Sequence, residues 1–303
     1  MANFYGQFIG FGASGVSGAS FTHAQGLTHG YQSGGTSSNN VITKFAFASG
    51  GEPSDVGDLT VGRHSLAGSS SSTQGFNQGG YNSKSTIDKF EFSSDGNAVD
   101  HGDLYTDNWV GSGASSVTHG YAVGGVSTGD TIQKYAFASN TTGSDVGNLT
   151  VGARRVQGTC SSATHGFPLG GSSSSTDNID RFAFDSDGDS TDYGTLSASG
   201  RRPAATNSST HGYASGGTNS IDIIEKFAFA TGGTVSDVGV LTVNRADGCA
   251  ANSSTINGYV AGGFGSSINY SIDEHSFVTD GDATDVGTMA AGRQAQEMAG
   301  QQV

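Results

Sequence analysis

The chain has 303 residues and a formal net charge of −14, from 13 basic and 27 acidic residues, which disfavours nucleic-acid binding. Leu, Ile, Val and Phe contribute only 56 residues, a share that by itself is typical of disordered chains. No run of 18 apolar residues occurs, and the first residues lack the basic and apolar regions of a signal peptide. We therefore expect a protein that neither inserts into membranes nor follows the general secretion route.

The first 27 residues differ from the rest of the chain because aromatic residues are interspersed there with glycines. A backbone this rich in glycine does not fold alone, and we interpret residues 1–27 as a docking arm that becomes ordered against a partner. An ordered tail that lies against this chain's own domain is the alternative. The candidate docking residues are Phe4, Tyr5, Phe8, Ile9 and Phe11.

From residue 28 onward one motif recurs six times, and a complete copy reads Thr118-His119-Gly120-Tyr121-Ala122-Val123-Gly124-Gly125. Successive Gly-Gly pairs are 45 or 46 residues apart. A repeat this regular predicts an array of structural units, and it outweighs the low apolar content. The pairs are Gly34-Gly35, Gly79-Gly80, Gly124-Gly125, Gly170-Gly171, Gly216-Gly217 and Gly262-Gly263.

Each repeat contains about four short extended segments separated by turn residues, which is the content of one β-propeller blade. The first copy lacks the segment before its Gly-Gly pair, and the last copy ends without a Gly-Gly segment. We therefore predict a six-bladed, all-β propeller over residues 28–303, in which a strand within residues 295–303 pairs beside residues 29–35. This shared blade would remove the open edges. A helical turn is a candidate only at residues 294–298.

The third segment of each repeat alternates between two faces. In the third repeat Tyr135 and Phe137 lie on one face, whereas Ile132, Lys134 and Ala136 lie on the other. We expect each aromatic face to pack against the small residue on the opposite face of a neighbouring blade.

One position of the repeat carries histidine in four copies, but Gln74 and Asn257 in the other two. Gln and Asn are poor ligands for zinc or copper. We therefore predict a structural hydrogen bond from strand to strand in a ring near the propeller axis, and no metal. The histidines are His29, His119, His165 and His211.

Rows of charged residues also recur, and we predict an Asx-turn at each aspartate, with its carboxylate paired to a strand cation or to an arginine. The cations are Lys44, Lys89, Lys134, Arg181 and Lys226, with His275 in the last repeat. The aspartates are Asp55, Asp100, Asp145, Asp192, Asp237 and Asp285, and the arginines are Arg63, Arg154, Arg201, Arg245 and Arg293.

Two turns are rich in carboxylates, with Asp185, Asp187 and Asp189 in one and Asp280 and Asp282 in the other. Oxygen-rich loops can bind Ca²⁺, but neither turn follows the EF-hand spacing. We favour solvated hairpin turns here. Calcium is the only metal candidate, and no other cofactor is expected.

Sequence motifs for catalysis are lacking, because no P-loop, dinucleotide fingerprint, HExxH or GxSxG occurs. Cys160 and Cys249 lie at different positions of the repeat, which disfavours both a disulfide and a catalytic thiol. A catalytic site would break the symmetry of the repeat, whereas the polar rows follow it. We predict no enzymatic activity, and a propeller hydrolase is the least favoured alternative.

Loops on a rigid scaffold carry recognition, and residues 81–85, 172–178 and 264–270 are the candidate receptor loops. The most irregular segment, residues 105–109, holds the only tryptophan and replaces the arginine-containing sequence of other repeats. Its Trp109 either stacks on a sugar or packs between blades. The candidate receptor contacts are Tyr81, Trp109, Phe264 and Tyr270.

The Gly-Gly pair preceded by Gly-Tyr resembles kelch-type β-propeller repeats, although Phe pairs such as Phe90 and Phe92 replace the Tyr and Trp of kelch blades. Three phrases are similar to kelch-like proteins of tailed phages, notably marine ones: Thr-His-Gly-Tyr-Ala-x-Gly-Gly, Ile-Asp-Lys-Phe-x-Phe and Ser-Asp-Gly-x-x-x-Asp-x-Gly. The opening Phe-Tyr-Gly-Gln-Phe-Ile-Gly-Phe-Gly resembles the glycine-rich starts of structural proteins in such phages. The resemblance transfers no catalytic residue.

The resemblance implies a virion component of the phage tail or its fibres, made in the host cytoplasm and part of an oligomeric assembly. In this interpretation the arm binds other virion proteins, and the propeller is a rigid disc that contacts a host surface glycan or protein. A carbohydrate-binding or adhesion propeller of a cell surface is the alternative.

Overall fold

The computed structural model describes residues 25–35, 39–82, 85–109, 111–126, 129–152, 154–155, 158–171, 176–199, 202–217, 221–264, 269–289 and 299–302. All regular secondary structure in these ranges is β-strand, and the strands form six small sheets. The predicted six-bladed β-propeller is therefore confirmed. The candidate helical turn at residues 294–298 lies outside the described residues.

Each blade is built on short antiparallel strands, most of which follow one another along the chain. The first blade contains β1 (His29–Ser33), β2 (Val41–Ala46) and β3 (Gly50–Asp58), and the second contains β4 (Ala67–Ser70), β5 (Gln74–Gln78), β6 (Thr86–Glu91) and β7 (Val99–Asp103). The third contains β8 (Ser112–Ser115), β9 (His119–Gly125), β10 (Gly129–Ala136) and β11 (Ser144–Asn148), and the fourth contains β12 (Gly158–Ser161), β13 (His165–Leu169), β14 (Asn178–Ala183) and β15 (Thr191–Thr195). The fifth contains β16 (Ala204–Asn207), β17 (His211–Ser215), β18 (Ile221–Ala228) and β20 (Ser236–Arg245), whereas the short β19 (Gly233–Thr234), which lies between β18 and β20 in the chain, pairs parallel with β15 at the edge of the fourth blade. The sixth contains β21 (Asp247–Ser253), β22 (Asn257–Phe264), β23 (Ser271–Ser276) and β24 (Thr284–Thr288), and β25 (Ala299–Gln302) ends the described chain.

The two ends of the propeller meet in the first blade, as predicted. Strand β25 pairs antiparallel with β1, from Gly30 opposite Gln302 to Ser33 opposite Ala299. The strand order of this sheet is β25-β1-β2-β3. The first blade thus receives its innermost strand from the far end of the chain, which closes the ring.

The innermost strands, β25, β4, β8, β12, β16 and β21, contact one another in a closed ring around the axis. Serine hydroxyls connect them, since the backbone N–H of Ser70 donates to Ser115 Oγ at 2.9 Å and that of Ser115 donates to Ser161 Oγ at 3.1 Å. A Cβ atom at Gly113 would lie 1.9 Å from the carbonyl oxygen of Gly68. The strands therefore converge so closely that small residues are needed at these positions.

Stacked aromatic rings form the core between blades. Phe137 of the third blade stacks on Phe76 of the second, with ring centroids 4.5 Å apart. Equivalent pairs occur at all six interfaces, at centroid distances of 4.5 to 5.0 Å. The pairs are Phe47–Tyr259, Phe92–Tyr31, Phe137–Phe76, Phe184–Tyr121, Phe229–Phe167 and Phe277–Tyr213.

The expected contact between aromatic and small faces is wrong in one respect. The aromatic face does meet the opposite face of a neighbour, but it contacts the ring of the neighbour's second strand, while small residues such as Ala136 are only half-buried. The glycine that precedes each second-strand ring leaves space for the aromatic side chain opposite it on the third strand. A Cβ atom at Gly75 would lie 2.3 Å from the ring of Phe90. The six glycines in this role are Gly30, Gly75, Gly120, Gly166, Gly212 and Gly258.

The strand order gives the disc two faces. The turn face carries the turns between the first and second strands and between the third and fourth strands of each blade. The loop face carries the loops between the second and third strands and the linkers between blades. Each Gly-Gly pair begins a loop on the loop face, and φ is +62° at Gly79 and +103° at Gly80, a left-handed backbone that favours glycine.

Candidate functional site

The structure brings two of the predicted receptor residues, Tyr81 and Trp109, into contact on the loop face. Their ring centroids are 5.4 Å apart and their planes are inclined by 61°. His64 adds a third ring, stacked on Tyr81 at 5.0 Å and 25°. Tyr81 is 44% exposed, and the other two side chains are half-buried. We call His64, Tyr81 and Trp109 the aromatic patch.

Backbone hydrogen bonds between neighbouring loops hold the aromatic patch. The N–H of Tyr81 donates to the carbonyl of His64 at 2.8 Å, and the N–H of Gly80 donates to the carbonyl of Asn108 at 2.8 Å. The N–H of Val126 donates to the carbonyl of Trp109 at 2.9 Å. The rings therefore stand on backbone that is fixed across two blades, and only Tyr81 and Trp109 were recognisable in the sequence.

The linkers beside the patch are anchored by buried ion pairs that sequence reasoning missed. In the second blade, Arg63 Nη2 lies 3.2 Å from Asp88 Oδ2, and both side chains are fully buried. The backbone N–H and the hydroxyl of Thr60 also donate to this carboxylate, at 3.1 and 2.6 Å. Burial raises the pKa of Asp88 and lowers that of Arg63, while their mutual attraction opposes both shifts. Equivalent buried pairs are Arg154–Asp180 at 2.8 Å and Arg245–Asp273 at 2.6 Å.

The third blade replaces the ion pair by a neutral arrangement, directly beside Trp109. Asn108 occupies the position of the arginine and donates from Nδ2 to the carbonyl of Gly124 at 2.7 Å, as Arg154 does to Gly170 at 2.8 Å. Gln133 occupies the position of the aspartate and accepts from the N–H of Thr106 at 2.9 Å. The third repeat thus lacks both the arginine and the aspartate. This joint replacement is the sequence feature that could have indicated that the two positions contact each other.

The other two predicted receptor residues lie away from the aromatic patch. Phe264 ends β22 in the sixth blade and is 41% exposed on the loop face. Tyr270 lines a shallow cleft of about 390 Å³ at the seam between the sixth and first blades. The other lining residues are Gly51, Glu52, Gly287, Thr288 and Met289. Of the remaining candidate loop, residues 172–175 lie outside the described residues.

The chain enters the propeller on the turn face. The N–H of Gly26 donates to the carbonyl of Ser253 at 2.7 Å, and Gln25 Nε2 donates to the carbonyls of Ser254 and Asn207 at 3.0 and 3.2 Å. These partners end the innermost strands of the sixth and fifth blades or begin the turns after them. The candidate docking residues Phe4, Tyr5, Phe8, Ile9 and Phe11 lie outside the described residues.

The predicted role of the repeated histidines is wrong. They lie on the second strand of each blade, not on the innermost one, and each bonds to the threonine before it, as His119 Nδ1 does to Thr118 Oγ1 at 2.8 Å. Burial and the nearby Lys134 lower the pKa of His119. These histidine side chains therefore bond to the adjacent residue of their own chain segment, and the contacts do not link one strand to another. Thr28–His29, Thr164–His165 and Thr210–His211 repeat the contact at 2.8 to 2.9 Å.

The Asx-turns are confirmed, because the carboxylates of the row accept from backbone N–H groups, and the predicted partners Arg201 and Arg293 lie outside the described residues. Asp100 Oδ1 accepts from the N–H of Gly102 at 2.7 Å, and all six aspartates of the row make this contact. Strand cations instead reach the hairpin turn of the next blade, as Lys44 does to Asp95 at 3.1 Å. The three arginines of the described ion pairs bind the aspartates of the third strands instead.

The acidic turns are exposed hairpin turns, as predicted, and they also bond to the preceding blade. Asp187 pairs with Lys134 at 2.8 Å, and Asp189 accepts from the N–H of Asn148 at 2.9 Å. The sixth blade repeats this, since Asp280 pairs with Lys226 and Asp282 accepts from the N–H of Val240 at 3.2 Å. Asp185 accepts from its neighbour Ser186 at 3.3 Å. Among the described residues, no three His, Cys, Asp or Glu side chains are grouped to hold a metal, and calcium binding stays a prediction.

His275 does not belong to the row of cations. It lies opposite Gly258 on the neighbouring strand, and at this position the other blades carry Phe or Tyr opposite a glycine. Glu274 takes the position of the cation. The imidazole is buried and its Nε2 lies 3.0 Å from Thr206 Oγ1. Burial lowers the pKa of His275 to about 4, against the attraction of Asp280 and Asp273.

Neither cysteine forms a disulfide, in agreement with the sequence interpretation. Burial raises the pKa of Cys160 to about 12 and that of Cys249 to about 11. Both thiols are therefore protonated at neutral pH, and a thiol is a poor nucleophile in that form.

The sequence matches no family model, and no curated protein matches it. The described residues contain no helix that is long and apolar enough to cross a membrane. The aromatic patch is therefore interpreted from its own geometry.

Proposed function

We propose that this chain is a non-enzymatic structural protein of a phage particle, located in the tail or its fibres, and that its propeller is a rigid disc for host recognition. The observation that carries the proposal is the placement of two features on opposite faces. The chain enters on the turn face at Gln25 and Gly26, whereas the aromatic patch is exposed on the loop face. A tether on one face and exposed rings on the other suit a module that is attached to a particle and faces outward.

Rigidity supports the role of a disc. The blades are joined by stacked rings and by the bonds of the acidic turns, and buried ion pairs anchor the described linkers of the loop face. A fixed arrangement of contact residues lowers the entropic cost of binding. The resemblance of the repeats to kelch-like proteins of tailed phages supports the virion setting.

The arm is the proposed attachment to other virion proteins. Deletion of residues 1–18 should leave the propeller folded, with an unchanged melting temperature, but should abolish incorporation into particles. The Tyr81→Ala variant is the control, because it should be incorporated normally. Normal incorporation without the arm would contradict the proposed attachment, and a propeller that unfolds on deletion would show that the arm belongs to the core.

A carbohydrate-binding propeller of a cell surface is the second candidate, and the aromatic patch favours it equally. The two candidates differ in their partner. Mass spectrometry of purified particles should detect this chain if it is a virion protein, whereas an adhesion propeller would be recovered with the cell envelope.

A further inference from the structure

We propose that the aromatic patch binds a ring of a neutral saccharide, with one such site on each disc. The inference rests on the proposed function, because it names the chemistry of the host contact that the disc would make. It is carried by the geometry of the three rings, by their exposure, by the charges around them and by the broken symmetry of the repeat.

The patch has the shape of a corner. His64 covers one face of Tyr81 at a ring distance of 5.0 Å, and Trp109 stands at 61° to the Tyr81 plane. A pyranose ring presents an apolar C–H face and a rim of hydroxyl groups. The C–H face can pack on an aromatic plane while hydroxyls reach the Tyr81 hydroxyl and the Trp109 indole N–H.

The described charges near the patch favour an uncharged ligand. In the described residues of the surrounding loops, 59–66, 79–82, 85 and 104–109, the charged side chains other than His64 are Arg63 and Asp107. Arg63 is fully buried and paired with Asp88, whereas Asp107 is exposed. From these residues an anionic sugar would meet a carboxylate and no exposed lysine or arginine, which disfavours its binding. Lys84 of the Tyr81 loop lies outside the described residues, and its single positive charge stands against the negative charge of Asp107.

The size of the patch favours a small ligand over a protein. Three rings offer far less than the roughly 800 Å² that each partner of a stable protein complex contributes. The loops are already held by the hydrogen bonds of Tyr81 and Val126, so that a weakly interacting ligand loses little binding energy to loop ordering.

The patch also breaks the symmetry of the repeat. The position of Tyr81 carries Val126 in the third blade and Phe264 in the sixth, and the position of Trp109 carries Arg155 before the fourth blade and Ala246 before the sixth. In the described part of the chain, two large aromatic residues thus occupy these neighbouring positions only where the second and third blades meet. We therefore expect one saccharide per chain.

The test uses the full chain and its only tryptophan, Trp109, as the reporter. Tryptophan fluorescence is measured during titration with neutral oligosaccharides of glucose, galactose, mannose and N-acetylglucosamine, with sialyllactose as the anionic counterpart, and the labelled chain is applied to a bacterial glycan array. We expect a saturable change with a neutral saccharide at one site per chain. The Tyr81→Ala variant should bind at least about tenfold more weakly, which corresponds to roughly 1.4 kcal/mol.

Phe264→Ala is the matched control, since it removes an exposed ring from the equivalent position of another blade and should not change binding. Equal melting temperatures of the two variants would establish that both are folded. The inference would be overturned if the array retained no neutral glycan, if the chain preferred sialyllactose, or if both variants lost the same amount of saccharide affinity. If the chain is nevertheless found in particles and binds host cells after periodate oxidation of their glycans, the proposed function stands and the receptor is a protein.

Discussion

At the scale of single residues, three buried arginines tie the linkers of the loop face to the third strands of the blades. Each guanidinium meets an aspartate without solvent contact, and threonine donors complete the carboxylate's hydrogen bonds. Removal of one partner from such a pair leaves an uncompensated buried charge, which typically costs about 3–5 kcal/mol. Replacement of both partners by neutral groups costs far less.

We expect Asp88→Ala to lower the free energy of unfolding by about 3–5 kcal/mol, measured by urea denaturation. The double variant Arg63→Asn with Asp88→Gln reproduces the arrangement of Asn108 and Gln133 and should lose less than half of that amount. Equal destabilisation by the single and double variants would show that the ion pair is not the anchor of the linker.

His275 predicts a pH dependence of stability. Its pKa is lowered to about 4 in the fold, against 6.5 in the unfolded chain. Below pH 6.5 the unfolded chain binds a proton that the folded chain rejects, so stability falls as the pH drops toward 4, by about 3 kcal/mol. The groups that face the imidazole are Thr206, Tyr213 and Phe277, with the charges of Asp273 and Asp280 nearby.

The measurement is urea denaturation of the parent chain and of His275→Phe at pH 7.5 and pH 4.5. Phenylalanine is the residue that most other blades carry at this position. The substitution should reduce the loss of unfolding free energy between pH 7.5 and pH 4.5 by the part that is due to His275, while the part that is due to the carboxylates remains. An identical pH effect in both proteins would mean that His275 does not titrate in this way.

At the scale of elements, the blades depend on glycines that lie under aromatic rings. A Cβ atom at Gly75 would lie 2.3 Å from Phe90, at the place where β5 and β6 pair. Gly75→Ala should therefore lower the free energy of unfolding by about 1–3 kcal/mol, and the added substitution Phe90→Leu should recover part of the loss. Gly152→Ala is the control in thermal denaturation, since the atom nearest to a Cβ at Gly152 would be Asp130 Oδ2, at an ordinary contact distance of 3.5 Å. A Gly75→Ala variant as stable as the control would contradict this packing.

The elements also show how far the sequence alone can lead. The repeat period and the alternation of the third segment predict six blades and their aromatic faces, because both are local properties of the chain. The contact of Arg63 with Asp88 depends on how a linker crosses a blade, and a period does not reveal that. The assignment of His275 to the cation row was an error of one residue in the repeat, which the pairing with Gly258 corrects. Tyr81 and Trp109 were identifiable separately, but their contact follows from the approach of two blades.

At the scale of the whole molecule, closure of the ring should dominate stability. Strand β25 pairs with β1 and contacts the innermost strands on both sides. Deletion of residues 299–303 would expose the edge of β1 and interrupt that ring. We expect the melting temperature to fall by more than about 10 °C, which corresponds to several kcal/mol in a domain of this size. A deletion variant that melts with the parent chain would show that closure by β25 contributes little.

The central claim is that the disc is fixed to a phage particle by its turn face and presents the aromatic patch outward. Cryo-electron microscopy of the intact particle that contains this chain tests it most directly. The account predicts a propeller on the tail or its fibres, with residues 1–18 against a neighbouring virion protein and Tyr81 and Trp109 exposed to solvent. A propeller whose loop face is buried against the particle, or a particle without this chain, would contradict it.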